Sequence, residues 1–128
     1  MIAAGIGCRE ACTAADILAA IGLALRQTKF TAHDIDRICA PSFKSPAPEI
    51  AAAAEMLQRP LIFLDLDTLA TRDAETLTHS PHVVTRFGLS SIAETAALAG
   101  AGASSRLCGP RLAYGGATCA LAFSELPS

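Results

Sequence analysis

Near the amino terminus a glycine-bracketed turn sets a thiol beside a guanidinium, in the run Gly5-Ile6-Gly7-Cys8-Arg9. The run follows an apolar stretch from Ile2 and leads into a helical pattern that begins near Thr13. Strand, turn and helix start in that order aim backbone N–H groups and a guanidinium at one spot, which suits a carboxylate or a phosphate. Gly5, Gly7, Cys8, Arg9 and Thr13 are therefore expected to form an anion seat. Gly-x-Gly after a strand also begins the dinucleotide fingerprint. Here the third glycine is missing, and Cys39-Ala40-Pro41 stands where an acidic residue would close the second strand, so a nicotinamide site is disfavoured. Cys8 is a candidate nucleophile, because a helix N-terminus and Arg9 would both lower its pKa. No histidine stands near it in sequence to complete a dyad, and an ordinary turn cysteine is the simpler reading.

Other reactive residues are set against equally plain alternatives. Cys8-x3-Cys12 and His79-x2-His82 have neither zinc-module spacing nor a shared segment, so no metal site is expected. Lys44, with Ser42 and Ser45, follows the second strand; taken alone it is a surface lysine. Loops at strand C-termini are where open α/β sheets bind ligands, so Lys44 and Arg9 are expected to converge on one cleft if the first two strands are parallel. Gly88-Leu89-Ser90-Ser91-Ile92-Ala93-Glu94 offers a further helix start with two hydroxyls, where Ser91 and Glu94 fit a capping box. Tyr114-Gly115-Gly116-Ala117-Thr118 reads as a turn whose glycines supply positive φ.

The elements that must hold these groups alternate between short apolar runs and helical periods. Strands are expected at Ile2–Ile6, Arg37–Ala40, Leu61–Leu64, Leu107–Cys108 and Ala117–Phe123. Helices are expected at Ala14–Gln27, with Thr13 as N-cap and Asp16 in the first turn, at Glu49–Leu57, at Leu66–Ala70, and from Ser90–Ser91 through Ala99. A short helical turn is expected at Thr31–Asp34. The stretch Thr71–Arg86 carries no clear period and reads as a mobile connection. Strand–helix alternation predicts a three-layer α/β/α sandwich over a mixed, mostly parallel five-stranded sheet with an antiparallel edge, in a single domain over 1–128.

Composition excludes several classes. Of the 128 residues, 52% are hydrophobic, and the formal charge of −2 comes without any lysine or arginine run, so nucleic acid is not an expected partner. The apolar stretch Ile17–Leu25 is too short to span a bilayer, and its helical period makes it a core helix. With no basic segment leading an apolar one, a signal peptide is not read and a soluble cytoplasmic protein is expected. Five cysteines, an odd set, read as free thiols, with Cys39 and Cys119 as buried small hydrophobes.

Taken together, Gly5-Ile6-Gly7-Cys8-Arg9, Lys44 before Pro48-Glu49, Gly88-Leu89-Ser90-Ser91-Ile92-Ala93-Glu94-Thr95-Ala96-Ala97-Leu98, and Gly116-Ala117-Thr118-Cys119-Ala120-Leu121-Ala122 resemble one family. It is the CobE family of cobalamin biosynthesis, which is also the C-terminal domain of the CbiG proteins. The resemblance runs from Ile2 to about Phe123, and the chain looks like the free-standing form associated with the aerobic route to the corrin ring. It implies an α/β/α sandwich with a mixed sheet. CbiG proteins open the ring lactone of a cobalt-precorrin and release the extruded carbon as acetaldehyde. Where relatives often carry lysine before the glycine turn, this chain has Arg111, which keeps the charge.

The resemblance implies a ligand: a precorrin or corrin intermediate, an apolar macrocycle ringed with acetate and propionate carboxylates. Arg9 with the Thr13 helix start, Lys44 with Ser45, the Ser90–Ser91 helix start, and Arg111 with Thr118 are the expected seats, and Gly7, Gly115 and Gly116 would let backbone approach a flat ring. Three function classes follow. One is a non-catalytic binding or hand-over protein, with other corrin-pathway enzymes as further partners. Another is a lactone hydrolase, using Glu94 or Glu49 as base and with Cys8 as a further catalytic candidate. The third is an unrelated nucleotide-binding module, which the incomplete fingerprint disfavours. No cofactor is expected.

Overall fold

The computed structural model describes residues 1–125. Its six strands are β1 (Ile2–Cys8), β2 (Arg37–Pro41), β3 (Leu61–Leu64), β4 (Arg106–Leu107), β5 (Leu112–Tyr114) and β6 (Ala117–Phe123). They form one sheet in the order β3-β2-β1-β6-β4, with β5 also paired to β6. β1, β2 and β3 run parallel, with Gly5 opposite Cys39 and Cys39 opposite Ile62. β6 runs antiparallel to β1, from Cys8 opposite Ala117 to Ile2 opposite Phe123. β1 is buried from Ile2 to Ile6, the near-continuous apolar run required of a strand covered on both faces.

Five α-helices cover the sheet: α1 (Ala14–Arg26), α2 (Pro48–Leu57), α3 (Leu66–Ala70), α4 (Pro81–Phe87) and α5 (Ile92–Ala101). Ile17, Ala20, Ile21 and Ala24 of α1 recur at helical spacing and pack with Ile50, Ala53 and Ala54 of α2 over one face of the sheet. Leu69 of α3 and Ala93, Ala96, Ala97 and Leu98 of α5 fill the other face. The result is the expected three-layer sandwich. Helix α5 is buried almost all round, and its alanines bring its backbone close to the sheet. Its start lies beside Gly5 and its end beside Ala3, so it runs antiparallel to β1. The N-termini of α1, α2 and α5 consequently gather at the C-terminal edge of β1 and β2.

Several expectations change. The sheet has six strands, because Leu112–Tyr114 pairs with the start of β6 in the glycine-bearing connection. Parallel pairing is confined to β1–β3, and the β6 ladders are all antiparallel. Thr71–Arg86 is an ordered strap, not a connection without structure. It contains a 3-10 turn at Asp73–Glu75 and the beginning of α4, whose N-cap Ser80 accepts from the Val83 amide. Sequence periodicity missed it because long-range polar contacts hold it. The buried Arg72 guanidinium donates to the carbonyls of Leu98, Gly102 and Ser105 at 3.0, 2.8 and 2.8 Å, tying the strap to the C-terminal end of α5.

Candidate functional site

Thr13 builds the first part of the edge. Its hydroxyl accepts from the Asp16 amide at 3.1 Å while Asp16 accepts from the Thr13 amide at 3.1 Å, a complete capping box. The turn before it is closed by Cys12 N–H to Arg9 O at 3.0 Å and pinned to the β5–β6 turn by Arg9 N–H to Gly116 O at 2.9 Å. Arg9 itself is exposed. Beyond β2, the 3-10 turn Ser42–Lys44 leads through Ser45 and a cis Ser45–Pro46 bond to α2. Lys44 and Glu49 are both half-buried, and both act electrostatically on Cys8, as does Asp16. The structure thus brings Cys8, Arg9, Thr13, Lys44, Ser45 and Glu49 to one edge.

The glycines at this edge have internal duties. Gly115 holds φ at +58°, and a Cβ there would stand 2.6 Å from the Asp16 carboxylate. Gly7 lies against Thr118, whose hydroxyl donates to the Gly7 carbonyl at 3.4 Å. Cys8 also departs from expectation. Its thiol pKa is raised, first by burial and then by Glu49 and Asp16, whereas Lys44 and a hydrogen bond from Cys12 oppose the rise. Desolvation outweighs the expected activation by Arg9 and the helix start.

The Ser90–Ser91 helix start is closed by the chain itself. Ser91 is fully buried and caps α5 by accepting from the Glu94 amide at 3.2 Å. Ser90 does not cap; its amide donates to Asp73 at 2.7 Å and its carbonyl accepts from Ser80. Glu94 does not return to the N-cap amide to complete the expected box. One carboxylate oxygen accepts from the amides of Leu77 and Thr78 at 2.7 and 3.0 Å; the other accepts from the Thr78 hydroxyl at 2.6 Å and the Arg111 amide at 2.9 Å. With four acceptor positions filled and no exposed surface, Glu94 is engaged in holding the strap and the Arg111 loop. Glu49 is the candidate carboxylate that stands at the open edge.

Sequence reading did not single out Phe43 or Phe87. Their rings stack at 4.5 Å between centroids with 17° between planes, and Phe43 is 41% exposed. The Arg86 guanidinium lies 5.2 Å from the Phe87 ring centroid. An aromatic residue adjoining Lys44 in a polar loop was the available signal. An exposed apolar surface therefore adjoins the cationic loop. At the opposite end of the sheet, an open depression of about 470 Å³ is lined by Lys29, Phe30, Arg106, Leu107, Cys108 and Phe123, among others. It is shallow and remote from the residues assembled around Cys8. Among the described residues, no three His, Cys, Asp or Glu side chains converge as metal ligands, and no helix is long and apolar enough to cross a membrane.

This α/β/α frame, with its glycine turn, capped helix starts and α5 packed on β1, matches known proteins throughout. The family model described as "Cobalamin synthesis G C-terminus" matches residues 2–122. Protein CobE from Sinorhizobium sp is 30% identical over 118 residues, covering 92% of this chain and 77% of that protein. The crystal structure of CobE, a protein from the cobalamin (vitamin B12) biosynthetic pathway, superposes with a TM-score of 0.89 at 31% identity, covering 95% of this chain and 89% of the other. The cobalamin biosynthesis protein chiG from Agrobacterium tumefaciens gives 0.77 at 34% identity, covering 98% and 100%. A cobalamin biosynthesis protein G homologue from Sulfolobus solfataricus shares the fold at 0.66 and 19% identity, with this chain matching 37% of its length. The chain belongs to the cobalamin synthesis G C-terminus family, and so to cobalamin biosynthesis.

Proposed function

We propose that this protein binds a precorrin or corrin intermediate at the C-terminal edge of β1 and β2. The observation that carries the reading is the juxtaposition of Arg9, Lys44 and the exposed Phe43, stacked on the half-buried Phe87, at that edge. A corrin precursor presents an apolar ring and several peripheral carboxylates. Cations on short loops can take separate carboxylates by charge-assisted hydrogen bonds, while aromatic faces cover the ring. Thr13, Ser45 and the neighbouring amides add neutral donors. Arg111, in the loop before β5, and Thr118 of β6 are the further contacts this reading expects.

Absorbance titration of the full chain with the metal-free corrin product, under anaerobic conditions, tests the reading through the ring's own chromophore. Arg9→Ala and Lys44→Ala should each weaken binding by about tenfold or more, the range for a lost charge-assisted bond. Lys29→Ala and Arg106→Ala, in the opposite depression, should leave affinity unchanged. The reverse pattern would move the site to that depression.

A second reading, hydrolysis of a ring lactone, draws on Glu49. It is half-buried at the open edge and acts on Cys8 together with Lys44, as a base beside a carboxylate-binding cation would. Incubation with a lactone-bearing precorrin separates the two readings. Ring opening lost in Glu49→Gln, with binding retained, marks an enzyme; recovery of the ligand unchanged marks a binding or hand-over protein.

A further inference from the structure

Cys8 and Cys12 are brought together by the turn between them. The Cys12 amide donates to the Arg9 carbonyl at 3.0 Å, so the chain reverses over Arg9–Cys12, and Gly116 packs against both Arg9 and Cys12 to hold it there. Each thiol donates to a backbone carbonyl of the turn, Cys8 to Arg9 at 3.4 Å and Cys12 to Thr13 at 3.7 Å, and the two sulfurs lie close enough to shift each other's ionisation. Cys8 is half-buried, whereas Cys12 is buried. The remaining thiols are elsewhere: Cys39 and Cys119 are buried in the two layers of the core, and Cys108 lies in the opposite depression.

We infer that Cys8 and Cys12 are a redox-responsive dithiol, in which Cys8 attacks a small-molecule disulfide and Cys12 resolves the adduct into an intrachain disulfide. In the first step the Cys8 thiolate forms a bond to one sulfur of the disulfide and expels the other as a thiolate. In the second, the Cys12 thiolate attacks the Cys8 sulfur and expels the remaining half. The dithiol loses two electrons and two protons, and the small molecule leaves as two thiols. Thiols carried on either side of one preformed turn need little further ordering to close a five-residue loop at the bonded separation of about 2.05 Å.

The roles follow from exposure and from the surrounding charges. Cys8 is the accessible sulfur. The hydrogen bond from Cys12 and the charge of Lys44 stabilise its thiolate, against burial and the carboxylates of Glu49 and Asp16. Burial, followed by the hydrogen bond to Cys8, pushes the Cys12 thiol up to about 12, which suits the resolving position. Because the raised thiol of Cys8 is largely protonated at neutral pH, its attack should accelerate about tenfold per pH unit from pH 7 towards its pKa. The exchange chemistry requires no corrin ligand, although Cys8 stands at the edge proposed to bind one.

Oxidised glutathione added to the full-length chain, followed by alkylation, trypsin and mass spectrometry, tests the inference. Cleavage after Arg9 separates peptide 1–9, which holds Cys8, from peptide 10–26, which holds Cys12. The disulfide should join these two peptides, with the intact chain lighter by two hydrogens and the other three cysteines alkylated. Cys12→Ser should instead retain one glutathione on Cys8. A wild-type chain that keeps glutathione on Cys8, pairs other cysteines or stays fully reduced would overturn the inference.

Discussion

Gly5 lies under Ala93 with no room for a side chain: a Cβ on Gly5 would fall inside the Ala93 carbonyl oxygen and against the Ala97 amide. Helix α5 therefore rests directly on β1, the central strand of the sheet. Gly5→Ala should destabilise the fold by about 3 kcal/mol or more, because backbone must move to admit the methyl group. Urea unfolding measures it. A loss below about 1 kcal/mol would show that α5 shifts freely, against the packing described.

Glu94 joins the N-terminal turn of α5 to both the strap and the Arg111 loop. Glu94→Gln replaces one acceptor oxygen with an amide group facing two donors, and should cost about 2–3 kcal/mol. Hydrogen exchange should rise at the amides of Leu77, Thr78 and Arg111 before it rises in β1. Unchanged protection at those amides would remove this role from Glu94.

Arg72 supplies the matching bond at the other end of α5. Removing it leaves the Leu98, Gly102 and Ser105 carbonyls without this donor, so Arg72→Ala should cost about 3 kcal/mol. Arg72 also donates to Glu75 at 2.8 Å, and this hydrogen bond holds the Glu75 carboxyl below its ordinary value of 4.5. A lowered folded-state pKa gives stability that is present above pH 4.5 and lost as pH falls through the folded value. Glu75→Gln should therefore show a flatter acid limb below pH 4.5 than the wild type. Superimposable acid limbs would exclude the coupling.

The Phe43–Phe87 stack should contribute to corrin binding but little to folding, since Phe43 is 41% exposed. Phe43→Ala should weaken corrin affinity several-fold, the effect of losing about 1 kcal/mol of aromatic contact, and move the thermal midpoint only slightly. Undiminished affinity would remove the aromatic surface from the proposed site.

Gln58 ends α2 with φ at +56°, a left-handed conformation in which a side chain is disfavoured. Gln58→Gly should stabilise the chain by about 0.5–1 kcal/mol in urea unfolding. Destabilisation would mean that the Gln58 side chain contributes more than the backbone conformation costs.

Elements whose cause is local can be read directly from the order of the residues. β3 and β6 fall where short apolar runs require them, and α1 begins just after its N-cap Thr13 because its capping residues lie within one turn. The family was legible for a related reason: its glycine turn and α5 motif are short contiguous runs. Whatever depends on distant partners was set only when the layers packed. Thr71–Arg86 has little period of its own and is ordered by Arg72 and Glu94 across separations of 16 to 33 residues. Glu94 looked like half of a capping box, until the fold set the strap and the Arg111 loop against it. Cys8 looked activated, but burial raised its pKa. Spacing along the chain reports caps and periodicity, whereas burial and hydrogen bonding across the fold exist only once the layers have packed.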